Sequence, residues 1–211
     1  MNVRWKIAQF FEIWWWRAYL RGKSMEDYLK WKEGYWRDFL LKIPMPIKPN
    51  ERILEIGCGP AGLFMMFPQN QMTAVDPLLK KYRQHLSPLE ENKFSHVEFL
   101  EMPFEQFSDN EGFDAILCVN AINHVADLAA CFDKIGGLMR PGARLIMTID
   151  AHHWPLLKKV FRLIPGDILH PHQHSLADYG AFLTGVGCKL ELTKVLKKSF
   201  IFDYCLIVAT R

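Results

Sequence analysis

The apolar positions after residue 51 fall into short runs that are separated by longer mixed segments. Each run is rich in β-branched or aromatic residues and has the length of a strand, whereas several of the intervening segments are long enough for a helix. This alternation predicts βαβ units and a mainly parallel sheet in an α/β fold. The predicted strands are residues 52–56, 72–75, 97–100, 114–119, 144–149, 189–196 and 200–210.

The last two predicted strands lie too close together in the sequence for a helix between them. Neighbouring strands with a short connection pair antiparallel, so we expect a hairpin whose turn contains Lys197 and Lys198. The sheet is therefore predicted to end in an antiparallel strand.

The beginning of the chain has a different pattern. Residues 3–21 have helical character, but their aromatic side chains spread beyond one apolar stripe, so this helix is hydrophobic nearly all round. Ser24 and Asp27 resemble a capping box that opens a second helix, which runs to about Leu41. The proline-rich residues 43–49 then form a stiff extended connector.

These patterns divide the chain into an N-terminal, aromatic-rich helical cap in residues 1–49 and one domain in residues 50–211. A chain of 211 residues, half of them apolar, suffices for one substantial core and is short for two. The net charge is +3, but the charged residues are unevenly distributed along the chain. Residues 1–50 contain ten Lys/Arg and five Asp/Glu. No dense basic stripe is present, so we expect no nucleic-acid partner.

The cysteines indicate a reducing compartment, because they are odd in number and show no C-x-x-C spacing. They are residues 58, 118, 131, 188 and 205. Glu12 and Arg17 interrupt the most apolar segment, so no membrane span is predicted. We therefore expect a cytoplasmic protein.

A glycine-rich turn follows the first predicted strand. Residues 53–62 read Ile-Leu-Glu-Ile-Gly-Cys-Gly-Pro-Ala-Gly, and Asp76 ends the next predicted strand. Glycines let the backbone approach a ligand closely, and a carboxylate about 20 residues later can accept hydrogen bonds from both hydroxyls of a ribose. The pattern predicts a ligand with an adenosine-like ribose.

The charge of Glu55 indicates which of the ligands that bind to such turns is expected here. It lies two residues before Gly57, where its charge would repel the pyrophosphate of a dinucleotide and attract a cationic amino group. Cys58 lies within the turn, and we interpret it as a small side chain tolerated beside the ligand rather than as a nucleophile. A nicotinamide-dependent reductase is therefore disfavoured.

Glu55, Gly57 and Gly59 together resemble motif I of the class I S-adenosylmethionine-dependent methyltransferases, in particular the type 11-like family. Asp76 resembles the acidic end of that family's second strand. Further blocks that are similar to the family follow in order: residues 97–104 (third strand and adenine loop), 113–120 with 124–125 (fourth strand), and 138–142 with 144–149 (turn and fifth strand). The sequence departs from the family pattern at Ala143, where a second glycine is usual.

This resemblance implies a Rossmann-like, doubly wound, seven-stranded sheet with an antiparallel final strand, and S-adenosyl-L-methionine as the cofactor. It places the methionine moiety at Glu55 and the turn, the ribose at Asp76, and the adenine near the 97–104 loop. The implied cofactor-binding residues are Glu55, Gly57, Cys58, Gly59, Asp76, Pro77, Leu78, Glu101, Met102, Asn120, Ala121 and Ile122.

Histidines are the candidate catalytic bases, although methyl transfer requires no obligate catalytic side chain. His124 follows the fourth predicted strand and is interpreted either as a base or as a supporting residue. His170, His172 and His174 alternate along an extended segment, as metal ligands do. They resemble a substrate-pocket loop of the family, so we favour catalytic roles for His170 and His172, a substrate contact for His174, and no metal.

The aromatic cap permits three interpretations: a lid over cofactor and acceptor, a membrane-interface helix, or a dimer or core contact. In the lid interpretation, Tyr28, Tyr35 and Trp36 contact the substrate. The expected activity is transfer of a methyl group to a small acceptor that is aromatic or lipid-like. The alternatives are a cofactor-binding protein without turnover and, less favoured, the reductase.

Overall fold

Seven strands of the described residues form one mixed sheet, in the order β3-β2-β1-β4-β5-β7-β6. The computed structural model describes residues 3–22, 24–86, 94–152, 174–199 and 202–211. The strands are β1 (Arg52–Ile56), β2 (Gln71–Val75), β3 (Val97–Leu100), β4 (Phe113–Val119), β5 (Met139–His152), β6 (Lys189–Lys198) and β7 (Phe202–Thr210). The helices are α1 (Val3–Leu20), α2 (Met25–Leu40), α3 (Leu79–His85), α4 (Leu128–Leu138) and α5 (Leu176–Gly185).

The strand directions confirm the α/β fold with an antiparallel final strand. β1 to β5 pair in parallel, and β7 lies antiparallel between β5 and β6. The position of the hairpin turn was wrong, because Lys197 and Lys198 still belong to β6 and pair with Tyr204 and Asp203. Lysines suit an exposed edge strand, since their charge discourages pairing with another sheet.

Both faces of the inner strands β1, β2, β4 and β7 are largely buried, which explains why their sequences are mostly apolar. On one face, Leu54 and Ile116 pack with residues of α4 and α5 such as Phe132 and Leu183. On the other face, Ile53 packs with residues of α2. Residues adjacent in a strand point to opposite sides, so each strand contributes to both cores.

The predicted turn before the fifth strand forms an irregularity inside β5. The register moves from Phe113 opposite Met139 to Ala115 opposite Arg144, and Gly142 adopts a φ of 79° in the segment between. A left-handed backbone is accessible to glycine without steric cost. The strand therefore begins earlier than its apolar run indicates.

The cap contains the two predicted helices. The Ser24 side chain accepts a hydrogen bond from Asp27 N, as the capping pattern indicated. Trp36 and Phe39 of α2 pack against the sheet, whereas α1 contributes Ile13 to a separate cluster with Tyr82 of α3. Among the described residues, no helix combines the length and the apolar composition that crossing a bilayer requires.

Candidate active site at the carboxyl ends of the strands

The glycine turn after β1 has the backbone that its sequence predicts. Gly57 and Gly59 have φ values of 69° and 60°. Gly57 N donates to Val75 O at 2.8 Å, which holds the turn against the end of β2. A Cβ on Gly57 would collide with the Ala121 side chain, whereas one on Gly59 would meet open space. Gly57 is therefore required for both conformation and close approach.

Asp76 closes this turn. Its Oδ2 accepts a hydrogen bond from Gly59 N at 2.9 Å, and its Oδ1 accepts one from Leu78 N at 2.8 Å. The side chain is buried, yet Asp76 lies on a cavity wall. The parallel pairing of β1 with β2 brings the carboxylate to the turn, because both strands end at the same edge of the sheet.

Glu55 supports the far side of the turn. Its two carboxylate oxygens accept hydrogen bonds from Leu63 N at 2.6 Å and Phe64 N at 2.8 Å. A Cβ on Gly62 would collide with this carboxylate, which explains the third glycine of the motif. Burial raises the pKa of Glu55 to about 8, against the opposing effects of these hydrogen bonds and of Lys32. Glu55 thus shapes the loop as well as lining the cavity.

A cavity of about 550 Å³ lies above these residues, within the range of small-molecule sites. Its walls come from the cap, the turn after β1, the end of β2, the loop after β3, the loop after β4 and the end of β5. The lining residues are Phe11, Trp15, Trp16, Lys32, Tyr35, Trp36, Glu55, Ile56, Gly57, Cys58, Gly59, Pro60, Ala61, Val75, Asp76, Pro77, Pro103, Phe104, Glu105, Val119, Asn120, Ala121, His124, Val125 and Asp150.

Helix α2 is attached directly to the glycine-rich turn. Trp36 Nε1 donates a hydrogen bond to Ala61 O at 3.0 Å, and the indole is buried. Lys32, one turn earlier, lies with its Nζ 4.1 Å from the centroid of the Trp36 ring and 5.1 Å from that of Tyr35. The cap therefore forms one wall of the cavity.

A chain of hydrogen bonds crosses the opposite wall. Asn120 has a φ of 53°, and its backbone N donates to Thr148 Oγ1 at 3.0 Å. The Tyr204 hydroxyl lies 3.0 Å from the same Oγ1 and interacts electrostatically with Tyr35. This chain connects the loop after β4 to β7 through β5, and Tyr35 of the cap lies beside its end.

Most of the residues predicted for the cofactor lie along the cavity. They are Glu55, Gly57, Cys58, Gly59, Asp76, Pro77, Asn120 and Ala121. Of the residues predicted for the substrate or for catalysis, Tyr35, Trp36 and His124 also line it.

Other predicted residues are not brought to the cavity wall. Leu78, Ile122 and Tyr28 are buried in the packed interior and do not line the cavity. Glu101 is exposed and accepts a hydrogen bond from Lys80 N at 2.8 Å, while Met102 packs against the core. In the loop after β3, the residues that line the cavity are instead Pro103, Phe104 and Glu105. The acidic residue Glu101 by itself does not indicate which of its neighbours face the cavity.

The remaining histidines divide between described and undescribed parts of the chain. His174 Nδ1 lies 3.7 Å from Asp178 Oδ2, and its ring packs against Tyr179 and Phe182. His170 and His172 lie outside the described residues, so their predicted catalytic roles stay predictions. Within the described ranges, no group of three or more His, Cys, Asp or Glu residues could hold a metal ion.

Several cavity residues were missed from the sequence. Asp150 lies near the end of β5, as Asp76 does after β2, so an acidic residue at a strand end was the available signal. Lys32, Phe11, Trp15 and Trp16 belong to the cap, and no local pattern indicates which face of a cap helix meets the cavity. Their placement depends on how the cap packs.

Comparison with known proteins agrees with this geometry. Residues 28–189 match the family model described as a methyltransferase domain. The chain is 26% identical over 149 residues to cycloartenol-C-24-methyltransferase 1 of Oryza sativa subsp. japonica, which covers 64% of this chain and 41% of that protein. It is 25% identical over 105 residues to the ubiquinone biosynthesis O-methyltransferase of a Bradyrhizobium strain, covering 49% of this chain and 41% of that protein. It thus spans 41% of the length of each of these curated relatives.

Solved structures share the fold at low sequence identity. The YcgJ protein of Bacillus subtilis superposes with a TM-score of 0.68 and 15% identity over 85% of this chain and 98% of its own. A geranyl diphosphate C-methyltransferase of Streptomyces coelicolor, solved with Mg²⁺, geranyl diphosphate and S-adenosyl-L-homocysteine, gives a TM-score of 0.66 and 16% identity over 85% of this chain and 79% of its own. These similarities confirm the Rossmann-like fold.

Proposed function

We propose that this chain, which belongs to the class I S-adenosylmethionine-dependent methyltransferases, transfers a methyl group from S-adenosyl-L-methionine to a small aromatic or lipid-like acceptor. The proposal rests on one observation: a polar surface and an aromatic surface meet in the same cavity. The turn closed by Gly59 and Asp76 forms one part of the wall, and the cap aromatics Trp15, Trp16 and Trp36 form another. A polar cofactor end and an apolar acceptor end can meet there.

The residues present fit the cofactor of this family. S-adenosylmethionine carries a sulfonium and an ammonium, and the cavity is lined by four carboxylates against one lysine. In this proposal Asp76 accepts the ribose hydroxyls, and the backbone of residues 57–59 receives the methionine end; all of them line the cavity. When bound, the cofactor supplies an activated methyl group on its sulfonium.

The cap supports an acceptor with a flat or extended apolar body. Aromatic side chains provide large contact area, and the five cap aromatics that line the cavity are Phe11, Trp15, Trp16, Tyr35 and Trp36. Two relatives are named for cycloartenol and for ubiquinone biosynthesis, and one solved neighbour contains geranyl diphosphate. These names agree with a lipid-like acceptor here.

The protein's own contribution is to orient the acceptor and to exclude water. In this proposal the Trp36–Ala61 hydrogen bond holds the cap over the glycine-rich turn. Asn120, fixed by Thr148, borders the acceptor end, and His124 is the candidate base for an acceptor that loses a proton. An acceptor without an acidic proton would need no base.

The division into a cap of residues 1–49 and a methyltransferase domain of residues 50–211 is part of the proposal. The family match begins at residue 28, inside α2, so the second cap helix belongs to the matched region. We further propose a cytoplasmic location with peripheral membrane contact through α1, supported by exposed Trp14 and Arg17.

Calorimetry followed by turnover tests the proposal. We expect S-adenosylhomocysteine to bind in the micromolar range and NADH to bind far more weakly. Incubation with methyl-labelled S-adenosylmethionine and a panel of quinols, sterols, prenyl diphosphates and amines should then label one acceptor class. Preferential binding of NADH would overturn the assignment, and cofactor binding without labelling of any class would favour a binding protein without turnover.

A further inference from the structure

Lys32 is the one lysine or arginine among the described residues that line the cavity. It lies on α2, and its ammonium is held over two aromatic rings, 4.1 Å from the Trp36 centroid and 5.1 Å from that of Tyr35. Cation–π contacts of this length stabilise a charge that has left bulk water. The cap thus presents a single fixed cation to the cavity.

The other charged groups around Lys32 are acidic. Glu55 interacts with it electrostatically, although both Glu55 oxygens already accept backbone N–H groups. Asp76, Glu105 and Asp150 also line the cavity, together with the titratable side chains of His124, Tyr35 and Cys58. A ligand carboxylate that enters this cavity is repelled by Asp76, Glu105 and Asp150 and attracted by Lys32.

We propose that Lys32 binds the α-carboxylate of the methionine moiety of the cofactor, so that the cap helix itself completes the cofactor site. This inference rests on the proposed function. Lys32 and Glu55 lie on the walls of one cavity, beside the turn of residues 57–59 that is proposed to hold the methionine end. The ammonium of that end suits the carboxylates near the turn, and its carboxylate then faces Lys32.

The partly buried position of Lys32 supports this assignment. The loss of hydration lowers the pKa of the Lys32 ammonium to about 8. A charged ammonium at this position therefore destabilises the folded protein. A bound carboxylate offsets this cost by favouring the charged form. Because Lys32 lies one helical turn before Trp36, the same contact draws α2 onto the turn that Trp36 already holds.

The test compares two cofactors that differ only in the carboxylate, with 5′-methylthioadenosine as a ligand that lacks the whole amino-acid end. Binding of S-adenosylmethionine, decarboxylated S-adenosylmethionine and 5′-methylthioadenosine is measured by calorimetry for wild type, Lys32→Met and Lys32→Arg. Wild type should prefer S-adenosylmethionine to the decarboxylated form by about 10- to 100-fold, as expected for a charge-assisted hydrogen bond. Lys32→Met should abolish that preference and leave methylthioadenosine binding within about threefold, because the remaining contacts are retained. Lys32→Arg should keep most of the preference, since it keeps the charge.

Lys30→Met is the matched control, because Lys30 is exposed on the same helix and does not line the cavity. It should bind all three ligands as wild type does. Equal wild-type affinities for the carboxylated and decarboxylated cofactors would overturn the assignment, whether or not the variants fold. So would a Lys32→Met protein that retains the preference. If wild type binds none of the three ligands, the proposed function itself fails.

Discussion

Asp76 accepts a hydrogen bond from the backbone N–H of Gly59 at 2.9 Å, so the acidic end of β2 is a structural part of the glycine turn after β1. The carboxylate therefore has two tasks. It holds the turn in its left-handed conformation, and it remains on the cavity wall, where it is proposed to meet the ribose. Substitution of Asp76 should consequently affect both stability and binding.

Replacing Asp76 by Ala should lower the affinity for S-adenosylhomocysteine by at least about 100-fold and the free energy of unfolding by about 1–3 kcal/mol. The stability loss is expected because Gly59 N and Leu78 N lose their acceptor. Calorimetry and urea denaturation measure the two effects.

Asp133→Ala is the control, because Asp133 is an exposed carboxylate on α4 that does not line the cavity. It should change neither quantity. An Asp76→Ala protein with unchanged cofactor affinity would mean that the turn does not bind the ribose.

Gly57 and Gly59 offer a matched pair of substitutions. Both have a positive φ, so alanine at either should cost about 1–2 kcal/mol. Only at Gly57 would the new Cβ collide with Ala121, which should add about 1–3 kcal/mol. Denaturant unfolding of the two variants should rank Gly57→Ala as the less stable protein, and equal losses would show that the loop after β4 moves freely.

Asp109 should make stability pH-dependent in acid. It accepts hydrogen bonds from both terminal guanidinium nitrogens of Arg52, and these lower its pKa from 3.8 to about 2. A carboxyl whose pKa is depressed in the folded state stabilises the protein above pH 3.8, and this contribution is lost as the pH falls towards 2. Asp109→Asn should therefore cost about 1–2 kcal/mol at pH 7, and the difference from wild type should shrink below pH 4.

Glu111→Gln is the control for this prediction. Glu111 lies 3.9 Å from Arg52 Nε and its side chain is 75% exposed, so its ion pair should contribute less than about 0.5 kcal/mol. A stability difference for Asp109→Asn that stayed constant between pH 7 and pH 3 would exclude the proposed linkage.

Tyr35 and Tyr204 should couple the cap to the sheet. Tyr204 interacts electrostatically with Tyr35, and its hydroxyl lies 3.0 Å from Thr148 Oγ1. Tyr35→Phe and Tyr204→Phe should each destabilise the protein by about 0.5–1.5 kcal/mol, and the double variant by less than the sum. Strictly additive losses in the double-mutant cycle would indicate that the two hydroxyls act independently.

Exposed tryptophans of the cap should promote binding to anionic membranes if the proposed peripheral contact is correct. Trp14 is 63% exposed and Trp31 is 53% exposed, and neither lines the cavity. Trp14→Ser on α1 should reduce co-sedimentation with vesicles of anionic phospholipid several-fold while leaving cofactor binding unchanged, whereas Trp31→Ser on α2 should have a smaller effect.

Leu41→Ser is the comparison variant for the membrane prediction, because Leu41 is an 82% exposed apolar residue at the end of α2 that is not aromatic. It should bind vesicles almost as wild type does. A wild-type protein that does not sediment with anionic vesicles would contradict the membrane contact.

The strands and the family could be predicted from the sequence because their signals are local. The apolar run before Gly57 and the one before Asp76 end where β1 and β2 end, as the turn chemistry requires. The start of β5 could not be predicted, because a glycine such as Gly142 is typical of a turn. Only the pairing of Met139 with Phe113 shows that the strand begins before it.

Cavity residues were predictable where they follow a strand directly. Asp76 and Asn120 were found because the carboxyl ends of parallel strands converge at one edge of the sheet. Leu78 and Glu101 were assigned to the cofactor from the resemblance to the family, and a loop pattern does not determine the direction of a side chain.

The sequence by itself determined the sheet, the glycine turn and its acidic partner, since each depends on backbone conformation and on residues close in the chain. The tertiary structure decided which groups complete the site. Lys32 meets the cavity only because α2 packs its Trp36 face onto the sheet, and Tyr35 meets Tyr204 only because β7 lies beside β5. Contacts between distant elements depend on packing geometry, which no local pattern of residues encodes.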